Sequence, residues 1–336
     1  MDACRIAWPS AGKAALETFQ LPDAPPPGHV LLETGYSLIS PGTEKAGFLG
    51  LPNTQGGAPF PRYPGYSASG RILAAGEGVT DLGPGDRVIA YHSRHASHAV
   101  KERRHVVKIE DDALDATTAV FSLIASMGLQ GIRKLRPELG ESVGVMGLGL
   151  LGLFAVQFAR LGGAFPLIAL DFDPTRRDLA LKLGADYAFS PDEDGLAETI
   201  RTLTRGGLNA VGEISGSPFA VKQALGFMAP MGRISLVGCS RTPTPEVDFY
   251  NDVHRPGVTL IGAHNFVRPS DNSFPGYWTL QDDLKMILRF FAAGRLQAAP
   301  LIADILAPQQ APEAYQRLAE GETNPPGILF DWRAIG

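Results

Sequence analysis

Residues 143–162, VGVMGLGLLGLFAVQFARLG, set the tightest constraint on what this chain can become. Gly147, Gly149 and Gly152 follow a short apolar run that reads as a strand and open a stretch that reads as a helix. The G-x-G-x-x-G spacing suits a dinucleotide. The first glycine permits a tight turn, the second lets backbone approach a pyrophosphate, and the third lets helix and strand pack closely. Leu150 and Leu151 fill the spacer at the helix start, where free N–H groups and the positive end of the helix dipole meet phosphate. The run LIALD then ends in Asp171, nineteen positions after Gly152. A carboxylate there accepts bonds from the adenosine ribose hydroxyls and repels a 2′-phosphate. NAD is therefore expected, with NADP less favoured; Arg176 and Arg177 follow closely and can flank the adenine or accommodate a phosphate.

Strand and helix patterns alternate from residue 141: SVGVMG, LLGLFAVQFARLG, FPLIALD, PTRRDLALKLG, DYAFS, GLAETIRTLT, NAVGEIS, PFAVKQALGFM, GRISLVG and GVTLIGAH. Such alternation implies parallel βαβ units and a doubly wound sheet. Its cofactor is received at the carboxyl ends of the strands, which places Ser215 of EISGS, with Gly216, and Val237, Gly238 and Cys239 near the ligand by position rather than by residue type. The first ~120 residues have a different texture, with short apolar runs such as HVLLETGYSLI, SASGRILAAG and DRVIAY between Gly- and Pro-rich turns, which reads as an all-β unit. Beyond residue 265, Leu280, Leu284, Ile287, Leu288 and Phe291 recur at helical spacing, and GILFDW reads as a final strand returning to the N-terminal β unit. The expected fold class is α/β, a β domain over 1–122 and 266–336 with a doubly wound parallel sheet over 123–265 inserted between them.

With 336 residues, 44% hydrophobic and 19% charged, the chain has the balance of a globular protein of two domains. A net charge of -5 gives no electrostatic ground for nucleic acid or an anionic membrane as partner. The basic run Lys101–His105 is short and reads as a solvated strand end or turn. No apolar run reaches membrane-spanning length and the N-terminus lacks the apolar core of a signal peptide, so a cytoplasmic location is expected. Cys4 and Cys239 are too few for a four-ligand structural zinc site and read as reduced, buried small hydrophobes.

The central glycine motif behind a Gly/Pro-rich β unit, together with LPDAPPPGHVLLET, LGPGDRVIA, HVVKI and LKLGADYAF, resembles the medium-chain dehydrogenase/reductase superfamily along essentially the whole chain. The resemblance implies a GroES-like catalytic domain, a Rossmann domain and a return to the catalytic domain. It also exposes departures from the zinc-dependent members. Where their first zinc ligand stands, this chain has LISPGTE, read as a loop, with Ser40; where the second stands, YPGYSASG offers Tyr66 and Ser67; near the third is Leu123. The four-cysteine lobe is replaced by YHSRHASHAVKERRH, in which His92, His95 and His98 read as extended and so turn to different faces. The SPGTE motif and the missing ligands resemble a zinc-independent branch that includes sugar- and polyol-type dehydrogenases and bacteriochlorophyllide dehydrogenases.

Without a metal, alcohol oxidation still needs a base for the hydroxyl proton and donors for the developing carbonyl oxygen. The resemblance gives Thr43 contact with the substrate oxygen and the nicotinamide ribose. Glu44 is either the base or a fixed partner of a basic neighbour, and Tyr66 either donates to the substrate or packs as an aromatic residue. His95, in a segment that lines the family's cleft, is suited to proton transfer near neutral pH. Ser40, His254 and His264 are expected in the substrate or cofactor environment, and GVTLIGAHNF at a homodimer contact. The expected activity is NAD-dependent oxidation of a secondary alcohol on a sugar, polyol or cyclic substrate. Reduction of an activated C=C bond or quinone is the alternative, and a catalytically inactive NAD-binding protein the third reading.

Overall fold

The computed structural model describes residues 1–52, 59–244, 246–321 and 327–335. In chain order the first strands and helices are β1 (Asp2–Ser10), β2 (Lys13–Gln20), β3 (His29–Leu38), α1 (Pro41–Phe48), β4 (Ser67–Ala75), β5 (Arg87–Tyr91), β6 (His98–Glu102), β7 (Val106–Lys108), α2 (Ala116–Ala119) and α3 (Ser122–Leu135). There follow β8 (Val143–Met146), α4 (Leu150–Leu161), β9 (Leu167–Leu170), α5 (Pro174–Lys182), β10 (Tyr187–Phe189), α6 (Leu196–Thr204), β11 (Leu208–Glu213), α7 (Pro218–Phe227), β12 (Met228–Leu236) and β13 (Thr259–Gly262). The chain closes with α8 (Leu280–Ala292), β14 (Ile302–Leu306), α9 (Ala311–Glu320) and β15 (Gly327–Asp331). It divides into two compact units, Met1–Ile124 with Gln281–Gly336, and Ala125–Leu280. The segment 266–280 thus packs with the second unit.

The first unit is built on a seven-stranded sheet, β14-β15-β3-β4-β5-β7 with β6 also paired to β3, beside the β1–β2 hairpin. β15 is antiparallel to β3, Leu329 facing Leu38 and Asp331 facing Tyr36, so the end of the chain completes the N-terminal sheet. Its core gathers Trp8, Ile39, Phe48, Tyr315, Phe330 and Trp332. Among the described residues, no helix is long and apolar enough to cross a membrane.

The second unit is a Rossmann domain. Its six strands run in the order β10-β9-β8-β11-β12-β13, and every pairing is parallel. The order reverses between β8 and β11, which opens a crevice at the carboxyl ends of those two strands. Apolar strands buried on both faces, such as β9 with all four residues buried, match sheets covered by helices on either side. α5 starts where the sequence dictates: Asp173 accepts from the Thr175 and Arg176 amides, and Pro174 occupies the first turn, where no donor is lost.

Three local readings of the sequence differ from the structure. The SPGTE run is not loop but the N-terminus of α1, because Pro41 starts a helix whose Ala46, Gly47 and Phe48 are buried. The histidine segment is only partly extended: β6 begins at His98, while His92 sits in a turn with φ +54°. Cys239 is exposed rather than buried, since it lies in the loop beyond β12; Cys4 is half-buried and both thiols are free.

Candidate active site and dinucleotide loop

The residues flagged around Ser40 converge in the first unit. Gly65, at φ +97°, lies so close to the His95 loop that a Cβ would stand 2.5 Å from the His95 nitrogen. The His95 amide donates to the Pro64 carbonyl at 2.9 Å, fixing Tyr66 beside that loop. The Tyr66 hydroxyl donates to Ser40 Oγ. Tyr66 is half-buried, Ser40 buried, and Thr43 exposed in the first turn of α1.

Beneath them lies a buried polar chain. Glu44, 3% exposed, accepts from the Ser40 amide through Oε1 at 2.9 Å and from the Tyr315 hydroxyl through Oε2 at 2.5 Å. His95, 0% exposed, places Nε2 at 3.0 Å from Glu44 Oε2 and Nδ1 at 2.7 Å from Ser37 Oγ. Trp332 Nε1, which can only donate, bonds to Ser37 Oγ at 2.8 Å. Every donor is matched when Trp332 donates to Ser37, Ser37 to His95 Nδ1, and His95 Nε2–H to Glu44. Burial, reinforced by the Glu44 charge, holds the Tyr315 phenol far above its usual value, so it remains a donor. Glu44 thus stands beside a histidine with both carboxyl oxygens bonded, the arrangement that one of its two readings expects, and His95 is buried against it. Tyr315, Trp332 and Ser37 were not anticipated from sequence. Ala311, Ala314, Tyr315 and Leu318 do recur at helical spacing, and that signal would have found α9.

The dinucleotide residues converge in the second unit. Gly147, at φ +90°, lies against Ser215, whose Cα would be 2.6 Å from an added Cβ. A Cβ on Gly152 would stand 1.8 Å from the Gly147 carbonyl oxygen, whereas one on Gly149 would meet nothing within 4 Å. Gly149 is the N-cap of α4 and has no side chain to satisfy the helix amides. That open face of backbone is a cradle for phosphate. Asp171 accepts from the Leu148 amide through Oδ2 at 2.7 Å and from the Asp173 amide through Oδ1 at 2.9 Å, leaving lone pairs on both oxygens for ribose hydroxyls. Leu150 is buried and Leu151 half-buried in the first turn of α4. Arg176 stays near Asp173, at 3.9 Å, and Arg177 bonds the Asp171 and Phe172 carbonyls.

Glu213, another residue that sequence reading missed, ties this crevice together. Its Oε1 accepts from the Ser215 hydroxyl, from the Ser215 amide at 2.8 Å and from the Gly216 amide at 3.2 Å. Its carbonyl accepts from the Val237 and Gly238 amides at 2.9 and 3.0 Å. Gly238 in turn packs on Gly216, and Cys239 lies over the same turn. His254, which ends the π-helical segment Phe249–His254, and His264, just beyond β13, are exposed in this unit, ring-to-ring with Tyr250 and Phe266 respectively.

The fit to zinc fails at each expected position. Ser40 Oγ is engaged by Tyr66, Ser67 Oγ donates to the Val120 carbonyl at 2.6 Å, and Leu123, 2% exposed, has no donor atom. Among the described residues no three His, Cys, Asp or Glu side chains are grouped to hold a metal. His92, His95 and His98 contact different neighbours: His105, Glu44 and Ser97. Hydroxyls and a leucine are not the N/S donor set of a zinc tetrahedron.

The second unit has the parallel sheet order and glycine-rich turn of a dinucleotide-binding fold, and the first is a β unit carrying the Ser40–Tyr66 pair. Residues 151–281 match the family model described as zinc-binding dehydrogenase, a range that excludes positions 40, 66 and 123. L-threonine 3-dehydrogenase of Pyrococcus abyssi is 28% identical over 60% of this chain and 66% of its own length, just under two thirds. Sorbitol dehydrogenase of Bacillus subtilis is 26% identical over 74% of this chain and 67% of its own. The fold also matches that of a protein from Sinorhizobium meliloti described as a putative zinc-binding dehydrogenase bound to NADP, with TM-score 0.82 over 98% of this chain and 99% of that one, at 20% identity. These matches support the resemblance to the medium-chain dehydrogenase/reductase superfamily, with a polyol dehydrogenase among the similar proteins.

Proposed function

We propose that the protein is a zinc-independent oxidoreductase that moves a hydride between a secondary alcohol, on a sugar, polyol or cyclic substrate, and NAD. The observation that carries this reading is the Tyr66–Ser40 hydroxyl pair, which stands where zinc ligands are expected. The nicotinamide, when bound, accepts or gives the hydride. Gly147, Gly149 and the first turn of α4 hold the pyrophosphate, and Asp171 holds the adenosine ribose. In the reducing direction the Tyr66 phenol gives its proton to the substrate oxygen, the Ser40 hydroxyl turns to donate to the phenolate left behind, and water restores the phenol proton; in oxidation the phenolate takes the alcohol proton by the same path reversed, and Thr43 offers a second hydroxyl. Glu44, His95 and Tyr315 keep α1 and its hydroxyls in place and do not themselves take the proton.

Glu44 is buried and bonded on both oxygens, so a donor is better supplied here than a base. That favours, as a second reading, reduction of an activated C=C bond, for which a donor suffices. β13 lies at the end of its sheet, and we assign that edge to pairing with a second copy of the chain.

The test is a fluorescence titration of metal-analysed protein with NADH and NADPH, repeated on Asp171→Ala, followed by turnover on panels of polyols, cyclitols and enones. Tight NADH binding, weak NADPH binding, no bound metal and alcohol turnover are expected. Asp171→Ala should weaken NADH about 10- to 100-fold, the loss of hydrogen bonds to a charged acceptor. Stoichiometric zinc or NADPH preference would overturn the reading, and turnover of enones alone would replace it with the second.

A further inference from the structure

Asp171 is held at each of its polar groups. Its amide donates to the Phe189 carbonyl at 3.3 Å, and its carboxylate accepts from the Leu148 amide at 2.7 Å and the Asp173 amide at 2.9 Å. Its carbonyl, just beyond the last residue of β9, accepts from Arg177 Nη1 at 2.8 Å, and the same nitrogen donates to the Phe172 carbonyl at 2.9 Å. Carbonyls past the end of a strand have no ladder partner and need a donor; a guanidinium supplies it as a charge-assisted bond. Three of the ties on Asp171 run to main-chain groups, which a side-chain substitution leaves in place. The fourth comes from a side chain, so at Arg177 the turn between β9 and α5 can be loosened without altering Asp171 itself.

Arg177 reaches that turn because of its place in the helix. It is the fourth residue of α5, and its amide bonds the Asp173 carbonyl at 3.1 Å. Helical side chains lean toward the N-terminus of their helix, which brings a long one at this position back over the preceding turn. Arg176, about 100° away around the helix, stays near the N-cap Asp173 at 3.9 Å. Spacing alone gave Arg177 two roles, flanking the adenine or accommodating a phosphate. A nitrogen engaged on two main-chain carbonyls matches neither.

We propose that Arg177 is a positioning residue that sets the choice between NAD and NADP. By clamping the Asp171 and Phe172 carbonyls it keeps the Asp171 carboxylate against Leu148, where it accepts from ribose hydroxyls and repels a 2′-phosphate. This rests on the NAD reading and adds to it the group that stops the carboxylate from turning away. Without the clamp the carboxylate is free to leave Leu148. A ribose hydroxyl then loses its acceptor and a 2′-phosphate its repulsion, so the affinities for NADH and NADPH move toward each other. An Arg177 that bound the phosphate itself would move them apart on removal, because NADPH alone would weaken.

NADH and NADPH are titrated by fluorescence into the full chain as parent, Arg177→Met and Arg177→Lys. Methionine keeps an apolar stem without a donor; lysine keeps a charge that can donate to carbonyls but not the planar fork. Arg177→Met is expected to weaken NADH and to narrow the preference for NADH over NADPH, each by about tenfold, as for loss of one hydrogen bond to a charged acceptor. Arg177→Lys should fall between it and the parent. An unchanged ratio of the two affinities would overturn the proposal, whether both hold or both fall, since a merely structural loss moves them alike. A widened ratio would overturn it too and make Arg177 the partner of the phosphate. Thermal unfolding checks that each variant is folded; if Arg177→Met is not, Arg177→Lys carries the test, and no narrowing there overturns the proposal. The parent's own ratio reports separately on the NAD reading: a preference for NADPH defeats that reading, while the change from parent to variant still tests the clamp.

Discussion

The pair Glu44–Tyr315 gives the sharpest test of how the candidate site is held. Tyr315 is wholly buried and its hydroxyl lies 2.5 Å from Glu44 Oε2, with Glu44 itself 3% exposed, so solvent does not screen the contact. A hydrogen bond to a charged group contributes about 1.5–3 kcal/mol. Tyr315→Phe should therefore lower stability by that amount, which for a unit of this size is about 3–12 °C in Tm. Glu44→Gln keeps Oε1 for the Ser40 amide but turns an NH2 toward two donors, the Tyr315 hydroxyl and His95 Nε2. One buried donor then loses its acceptor, at about 1–3 kcal/mol. Because the substitutions act on one contact, their effects should not add: the double variant should fall short of the sum by at least ~1 kcal/mol in urea unfolding. NADH titration supplies the control, since the Gly147 loop belongs to the other unit. Additive effects, or a Tyr315→Phe variant within ~0.5 kcal/mol of the parent, would refute the assignment of Glu44 as the seat of α1.

Gly149→Ala should fold with unchanged Tm, as its Cβ enters open space at an ordinary φ of −68°, yet weaken NADH at least about tenfold by filling the phosphate cradle; unchanged NADH affinity would count against that cradle. Tyr66→Phe should lower kcat by about 100-fold with little change in KM, the signature of a donor used in the transition state; a rise in KM alone would make Tyr66 a binding residue. Burial raises the Glu213 carboxyl above its usual value despite the bonds from Ser215 and Gly216. Its stabilising contribution is then complete below the unfolded pKa and lost as pH rises through the folded one. Glu213→Gln, which keeps the acceptor oxygen, should gain stability relative to the parent on going from about pH 5 to pH 7.5, and a Tm difference flat across that window would contradict it.

The Rossmann unit was legible because its signals are local. Gly147, Gly149, Gly152 and Asp171 declare their roles through spacing, and apolar runs such as LIAL declare a strand buried on both faces. The site in the first unit was legible only in part. Ser40, Glu44, Tyr66 and His95 were singled out because they occupy positions where members of the superfamily that the sequence resembles carry function. That Glu44 faces inward, however, follows from α1 being a helix, which the Pro-Gly pair at 41–42 disguised as a loop. Its partner Tyr315 lies 271 residues downstream, and Trp332, which bonds Ser37, lies 295 residues beyond that serine. Such pairings are set by sheet register and helix docking, which no short window of sequence contains. The basic run Lys101–His105 shows its charge in composition, but not that Arg103 pairs with Asp81 and Arg104 with Glu102.

The closure of β3 by β15 also bears on the order in which the chain can acquire structure during synthesis. Every strand of the Rossmann sheet lies between residues 143 and 262, so that unit can assemble while the ribosome is still at work. The first unit cannot. Residues 36–38 of β3 wait for β15, and Glu44 waits for Tyr315, until residues 315–331 emerge. For that interval a sheet edge and a buried carboxyl stand uncovered, which makes the segment of β3 and α1, although made before its partners, the part of this chain most in need of protection from other chains.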